Sequence, residues 1–448
     1  MAEPAPVLDA SLTSSDAAIG ASAMRKATLH LIPLIALGYG AAYMDRVNIS
    51  FAALQMNRDL HFSATIYGFG AGLFFLSYAA CEIPSNLLLY RFGARRWLAR
   101  IMVTWGVLAI AMLFVRTPLQ FYTVRFLLGM AEAGFFPGVI FYLMQWFPPE
   151  LRARAISRFY ISLPLSSVFM GLIAGALLNL DGHLGLRGWQ WLFLVEGLPP
   201  ILLGTVFFLF LPDGPAQASW LTEDERLWII RHVTDAPAEA AHHSDSVGRA
   251  LLDPRVWQIG IFMFFMLASA YAYVFIAPDL IQRSTHLSIS IVGFIIAILN
   301  LLGALGMLLN AMHSDRTRER YWHIIPCCLA LSLSFFVCGV STKPLIVIPA
   351  LGLLIVAYSS MQGPLWALPA NFLKGRSSAA GIAAMNMIGM IGGFLGPYFI
   401  GFAKDLTGDY QSGLRIMSLP MLFGAGIILY LRYDARRRHL TQPNSVQP

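Results

Sequence analysis

Of the 448 residues, 57% are hydrophobic and only 12% are charged, and the mean hydropathy is +0.64. A soluble domain carries about 25% charge, so this composition excludes an ordinary water-soluble enzyme or binding module and belongs to a chain folded in lipid. The formal net charge of +7 would point to nucleic acid on a soluble surface, but here the bases punctuate apolar runs and mark topology instead.

Twelve apolar runs follow in order, at roughly 29–51, 65–90, 97–115, 119–146, 157–179, 189–211, 256–277, 289–312, 322–340, 344–362, 377–402 and 413–433. Each is near or above the ~20 residues with which a helix crosses ~30 Å of hydrocarbon. The prediction is an all-α polytopic membrane protein with 12 transmembrane helices in two six-helix halves. An even number puts both termini on one side. Most of the 31 Lys and Arg lie in the two tails and in the alternate loops that begin with loop 2–3, which makes that side cytoplasmic.

The tail over 1–27, rich in Ala, Pro, Ser and Asp, is expected to be disordered and cytoplasmic. It has no basic start and no cleavage motif, so the first run is a membrane anchor rather than a signal peptide. An N-terminal six-helix bundle over 28–211 follows, then a cytoplasmic linker over 212–255, a C-terminal bundle over 256–433 and a cytoplasmic tail over 434–448. Within the linker, Leu221 to Val233 predicts a short amphipathic helix capped by Thr222, with Glu225 closing a capping box.

Span 1 carries Asp45, Arg46 and Asn48, and span 4 carries Arg125 and Glu132. Charge in hydrocarbon is expensive unless it is paired or faces a water-filled cavity, so these residues are the leading candidates for a transport site. A rise of ~1.5 Å per residue puts Asp45 roughly 24 Å above the inner end of span 1, and Arg125 and Glu132 about 9 and 20 Å below the opposite edge. Arg125 and Glu132, seven apart, share a helix face. Arg125 reaches toward Glu132 or Asp45 and cannot neutralise both, which leaves an acid able to exchange a proton. Arg46, with its rigid five-donor fork, suits a substrate carboxylate, and Asn48 adds a neutral donor and acceptor.

On span 2, Tyr78 is at cavity depth, with Glu82 on the same face; Glu196 on span 6 is placed near the outer interface in an anchoring or pairing role. The second half has no ionisable residue in the middle of a span. It offers Tyr271, Tyr273, Asn300, Tyr358, Gln362, Trp366, Asn371 and Asn386 as a neutral pocket wall. Glycines on spans 2, 4, 5 and 11 allow close helix approach. The junctions Pro137-Gly138 and Gly396-Pro397 are candidate gating bends. Cys81, Cys327, Cys328 and Cys338 lie in or beside spans and read as apolar packing, and the histidines show no metal-ligand spacing. No metal and no cofactor is expected.

Basic loop 2–3, Tyr90-Arg91-Phe92-Gly93-Ala94-Arg95-Arg96, has a counterpart in loop 8–9, Asp315-Arg316-Thr317-Arg318-Glu319-Arg320. With Tyr43-Met44-Asp45-Arg46-Val47-Asn48 in span 1, Arg125-Phe126-Leu127-Leu128-Gly129-Met130-Ala131-Glu132-Ala133-Gly134 in span 4, Arg152-Ala153-Arg154-Ala155, and Gly188-Trp189-Gln190-Trp191 through Glu196-Gly197, these segments make the chain resemble the major facilitator superfamily over about residues 28–433. The likeness is to its anion:cation symporter branch, and tartrate carriers in particular. The superfamily loop motif has an acid before its first Arg. Here Tyr90 stands there, and the acid occurs in the second copy as Asp315.

The resemblance implies proton symport of an organic anion by alternating access, in a bacterial inner membrane. By it, Asp45 and Glu132 take the protons, Arg125 links the acidic site to the cavity, and Arg46 holds the substrate anion. Tyr78 and Asn386 are implied substrate contacts, beside Asn48, Tyr358 and Gln362 from the residue reading, with Arg91, Arg95, Asp315 and Arg316 as the gating group. The expected substrate is a tartrate-like sugar acid or dicarboxylate, with phthalate or hydroxyphenylacetate as alternatives, and the expected working unit is a monomer in lipid. An organic-anion exchanger is the alternative mechanism. An enzyme would need a nucleophile with its base or a metal cluster, and the sequence offers neither.

Overall fold

The computed structural model describes residues 10–160, 162–234, 252–369, 372 and 375–441. The start of the N-terminal tail, the linker over 235–251, Asn371 and the chain from 442 onward lie outside the described residues. Among the described residues all regular structure is helical. The first half contains α1 (Ala10–Asp59), α2 (Ala64–Phe92), α3 (Ala94–Ala111), α4 (Pro118–Glu132), α5 (Phe135–Met144), α6 (Pro149–Tyr160), α7 (Ser162–Leu178) and α8 (Gly188–Phe210). A linker helix, α9 (Glu223–Thr234), precedes the second half: α10 (Pro254–Thr285), α11 (Ile289–Thr317), α12 (Tyr321–Val340), α13 (Pro344–Ala367), α14 (Gly375–Thr407), α15 (Gln411–Met417) and α16 (Leu419–Thr441). They supply 12 helical stretches long and apolar enough to cross a membrane.

Local chemistry sets the ends. Ser63 Oγ accepts from Ile66 N–H at the start of α2, and Gly93, at φ +84°, ends it. Thr117 and Gln120 form a capping box at α4, with Pro118 in the first turn. Thr222 and Glu225 form the predicted box at α9.

The packing repeats between halves. α2 packs on α4 as α11 packs on α13, and α3 on α8 as α12 on α16. Across the seam, α2 meets α14 and α11 meets α7, the same pairing with the halves exchanged, while α1 meets α10 on the axis. This is the arrangement of two parallel six-span halves about an axis along the membrane normal. The seam is tied at the end that holds loop 1–2: Asp405 accepts from Ala64 N–H (3.1 Å) and Thr65 N–H (2.7 Å), and Asn179 Nδ2 donates to Ser290 Oγ at 3.2 Å. Close approach at this end requires small residues, since a Cβ at Gly72 would meet Phe394 O at 2.5 Å.

Three expectations change. The tail expected to be disordered over 1–27 is helical from Ala10, because α9 gives it a partner: Lys26 and Ser22 bond Glu225, and the Trp228 ring occupies the space beside Gly20. Span 4 is two helices, and its break lies at Ala133 and Gly134 rather than at Pro137-Gly138. Gly134 takes a left-handed φ of +86°, and Ser85 Oγ donates to the released Ala133 carbonyl at 2.6 Å. The Gly396-Pro397 junction does not interrupt α14; it lies where that helix touches Ala268 on one side and Gly68 on the other.

Candidate functional site

The break in span 4 puts Glu132 on the last turn of α4, beside α1. Arg46 Nε donates to Glu132 Oε1 at 2.7 Å, and its Nη2 reaches the same oxygen. Arg125, expected to reach toward Glu132 or Asp45, donates Nη2 to Ala71 O at 3.2 Å, and among the described residues its Nε and Nη1 have no hydrogen-bond partner. The residue expected to hold substrate is thus tied to one expected to carry a proton. Among the described residues Asp45 accepts one long bond, from Asn48 Nδ2 at 3.4 Å, and its Oδ2 has no hydrogen-bond partner. Asp45, Asn48, Arg125 and Glu132 are each at most 1% exposed, whereas the Arg46 side chain is 11% exposed and reaches the seam.

Phe74 organises the two guanidiniums. Arg125 lies 5.0 Å and Arg46 5.7 Å from its ring centroid, and Arg46 lies 5.0 Å from the Tyr78 ring one turn along α2. Sequence reasoning named Tyr78 and missed Phe74; the four-residue spacing was the available signal. Opposite, Tyr271 of α10 adjoins Arg46 and packs on Phe75 with ring centroids 4.0 Å apart and the planes tilted by 43°. The half-buried wall continues through Tyr358, which adjoins Gln362, and Gln362 Oε1 accepts from Trp366 Nε1 at 3.2 Å. Asn386 Nδ2 donates to Glu82 Oε2 at 3.1 Å, joining α14 to α2 across the seam. A cavity of about 30 Å³, room for about one water, lies between α1, α7, α10 and α11, lined by Tyr43, Tyr273 and Asn300 among others.

Glu196, expected near the outer interface in an anchoring or pairing role, is buried with its carboxylate facing Asn48. The gating group is not brought together. Arg95 bonds Phe208 O and, through its N–H, Asp213; Asp315 pairs with Arg320 of its own loop at 2.5 Å; Arg91 lies over Phe92. Arg316 is exposed.

Fold, seam and buried charges agree with the family comparison, in which residues 35–397 match the model for "Major Facilitator Superfamily". The chain belongs to the Major Facilitator Superfamily. It is therefore a multi-pass membrane transporter and not an enzyme. A protein of Agrobacterium vitis named "Putative tartrate transporter" is 44% identical over 92% of this chain and 91% of its own length. A "Quinolone resistance transporter" of Acinetobacter baumannii is 38% identical over 95% of this chain and 98% of its own. Among solved structures, a bacterial homolog of the human lysosomal transporter Spinster, inward-facing and unoccupied, superposes with a TM-score of 0.75 at 18% identity, covering 90% of this chain and 96% of that one.

Proposed function

We propose that this transporter imports an organic acid anion, a tartrate-like sugar acid or dicarboxylate, by proton symport with alternating access, in a bacterial inner membrane with both termini cytoplasmic. The observation that carries the reading is the Arg46–Glu132 pair at the seam. Arg46 offers one site for which Glu132 and a substrate carboxylate compete. A proton on Glu132 cancels its charge and leaves the guanidinium to the substrate. In the empty state Arg46 balances Glu132, and in the loaded state it balances the substrate, so neither closed state holds an uncompensated charge, which would cost about 3–5 kcal/mol. Asp45 beside the underbonded Arg125 supplies a second proton site, which suits a second carboxylate. Tyr78, Tyr271, Tyr358, Gln362 and Asn386 offer hydroxyl and amide groups to the rest of the ligand. The Agrobacterium relative's name supports tartrate as the first substrate to test; phthalate and hydroxyphenylacetate follow.

The full burial of Asp45 and Glu132 in this conformation favours a second reading, an organic-anion exchanger. A proteoliposome panel of tartrate, other sugar acids, dicarboxylates and aromatic acids, with external pH recorded, separates the two. Symport predicts accumulation driven by an inward proton gradient with matching alkalinisation outside. Uptake that needs preloaded anion and ignores the gradient would establish the exchanger.

A further inference from the structure

Away from the seam, α6 with Phe147 just before it and the cytoplasmic-end part of α1 enclose an open groove of about 450 Å³, within the ~300–1,000 Å³ range of small-molecule sites. Three guanidiniums line it, those of Arg25, Arg154 and Arg158. Neighbouring bases are otherwise committed: Lys26 is bonded to Glu225, and Arg152 to the carbonyls of Phe147 and Met144. Among the described residues none of the three groove arginines forms an ion pair, and the one bond found is from Arg158 Nη1 to Thr28 Oγ1 at 3.3 Å. The remaining wall is apolar, made by Met24, Leu29, Phe147 and Leu151, with Leu29 left exposed.

Position narrows the ligand. Arg154 is the first residue of the fifth membrane-crossing stretch, so the groove sits at the boundary between hydrocarbon and headgroups. A small soluble anion needs the three cations but has no use for the apolar wall. An anionic amphiphile needs both, and basic pockets between helices at the cytoplasmic boundary match such headgroups.

We propose that this groove binds an anionic phospholipid, its phosphate among Arg25, Arg154 and Arg158 and an acyl chain along Leu29 and Leu151. Bound there, the lipid braces α1 against α6 on the face of α1 that the linker helix leaves open. The site is independent of which anion is transported.

The test is native mass spectrometry of the full chain in detergent, offered phosphatidylglycerol, phosphatidylcholine and, separately, inorganic phosphate. Retention of phosphatidylglycerol at about fivefold or more over phosphatidylcholine is expected, with no displacement by millimolar phosphate. An Arg154→Gln/Arg158→Gln variant loses that preference, and Arg154→Lys/Arg158→Lys, which keeps the charge but not the planar fork, retains part of it. Equal retention of the two lipids by the unaltered protein overturns the proposal without any variant having to fold. So does undiminished preference in a folded Gln variant, or displacement by phosphate, which would mark a soluble-anion site.

Discussion

Asp45, Arg46, Arg125 and Glu132 were visible in the sequence because charge in an apolar run is costly and stands out. Their pairing was not visible. Spacing placed Arg125 and Glu132 on one face, yet Glu132 pairs with Arg46 because the α4–α5 break and the rotation of α1 decide which side chains meet. Glu132→Gln keeps a hydrogen-bond acceptor for Arg46 and removes the titration. We expect it to lower proton-driven accumulation by at least about tenfold while counterflow stays within about threefold; full accumulation in proteoliposomes removes Glu132 from coupling. Gly134 carries the second residue-scale argument. Ala there bears about 1–2 kcal/mol of left-handed strain, and its Cβ collides with Ser85. Thermal unfolding in detergent should therefore show Gly134→Ala destabilised by at least that much. The double variant with Ser85→Gly should cost less than the sum of the single variants, because both colliding atoms, Oγ and Cβ, are gone; simple additivity would show that the two residues do not meet.

At the scale of elements, α1 and α9 show how a polar tail acquires structure. Glu225 of α9 gathers Lys26 Nζ (2.7 Å), Ser22 Oγ (2.6 Å) and Thr222 N–H (2.9 Å). Burial by itself raises the Glu225 pKa, but these bonds outweigh it and hold the carboxyl down at about 2. A depressed carboxylate pKa contributes stability that is present above the ordinary value of 4.5 and is lost as pH falls from there toward 2. Fluorescence of Trp228, which packs on Gly20 of α1 and donates its Nε1–H to Asp16, should therefore change below about pH 4.5, and Glu225→Gln should reduce that acid transition. A transition unchanged by Glu225→Gln would assign it elsewhere. The α9 capping box was legible because it is local; the ordering of residues 10–27 was not, because their partner lies some two hundred positions away.

The whole molecule is tied shut at the loop 1–2 end, where a carboxylate of one half caps a helix N-terminus of the other. Asp405 is exposed, so solvent screens the contact and reduces its worth to about 1 kcal/mol, which is about fivefold in a two-state equilibrium. Asp405→Asn should raise thiol labelling of a cysteine placed at Thr65 by about that factor and lower labelling of one placed at Tyr90, on the opposite face. Labelling unchanged at both positions would show that the tie does not bias the halves. No pocket volume or seam contact of this kind could be read from spans alone, since it depends on how the helices of the two halves are rotated and packed against each other.

Length, apolar runs, basic loops and ionisable residues within those runs were sufficient to predict a polytopic helical membrane protein and to single out Asp45, Arg46, Arg125 and Glu132. Those properties follow from the cost of placing each residue type in lipid, and that cost depends on the residue and its near neighbours. Which acid holds which base, where span 4 breaks, what orders the N-terminal helix and which end of the seam is closed were decided by the tertiary structure. Each depends on helix rotation and on contacts between segments far apart in the chain, and these exist only once the halves have packed.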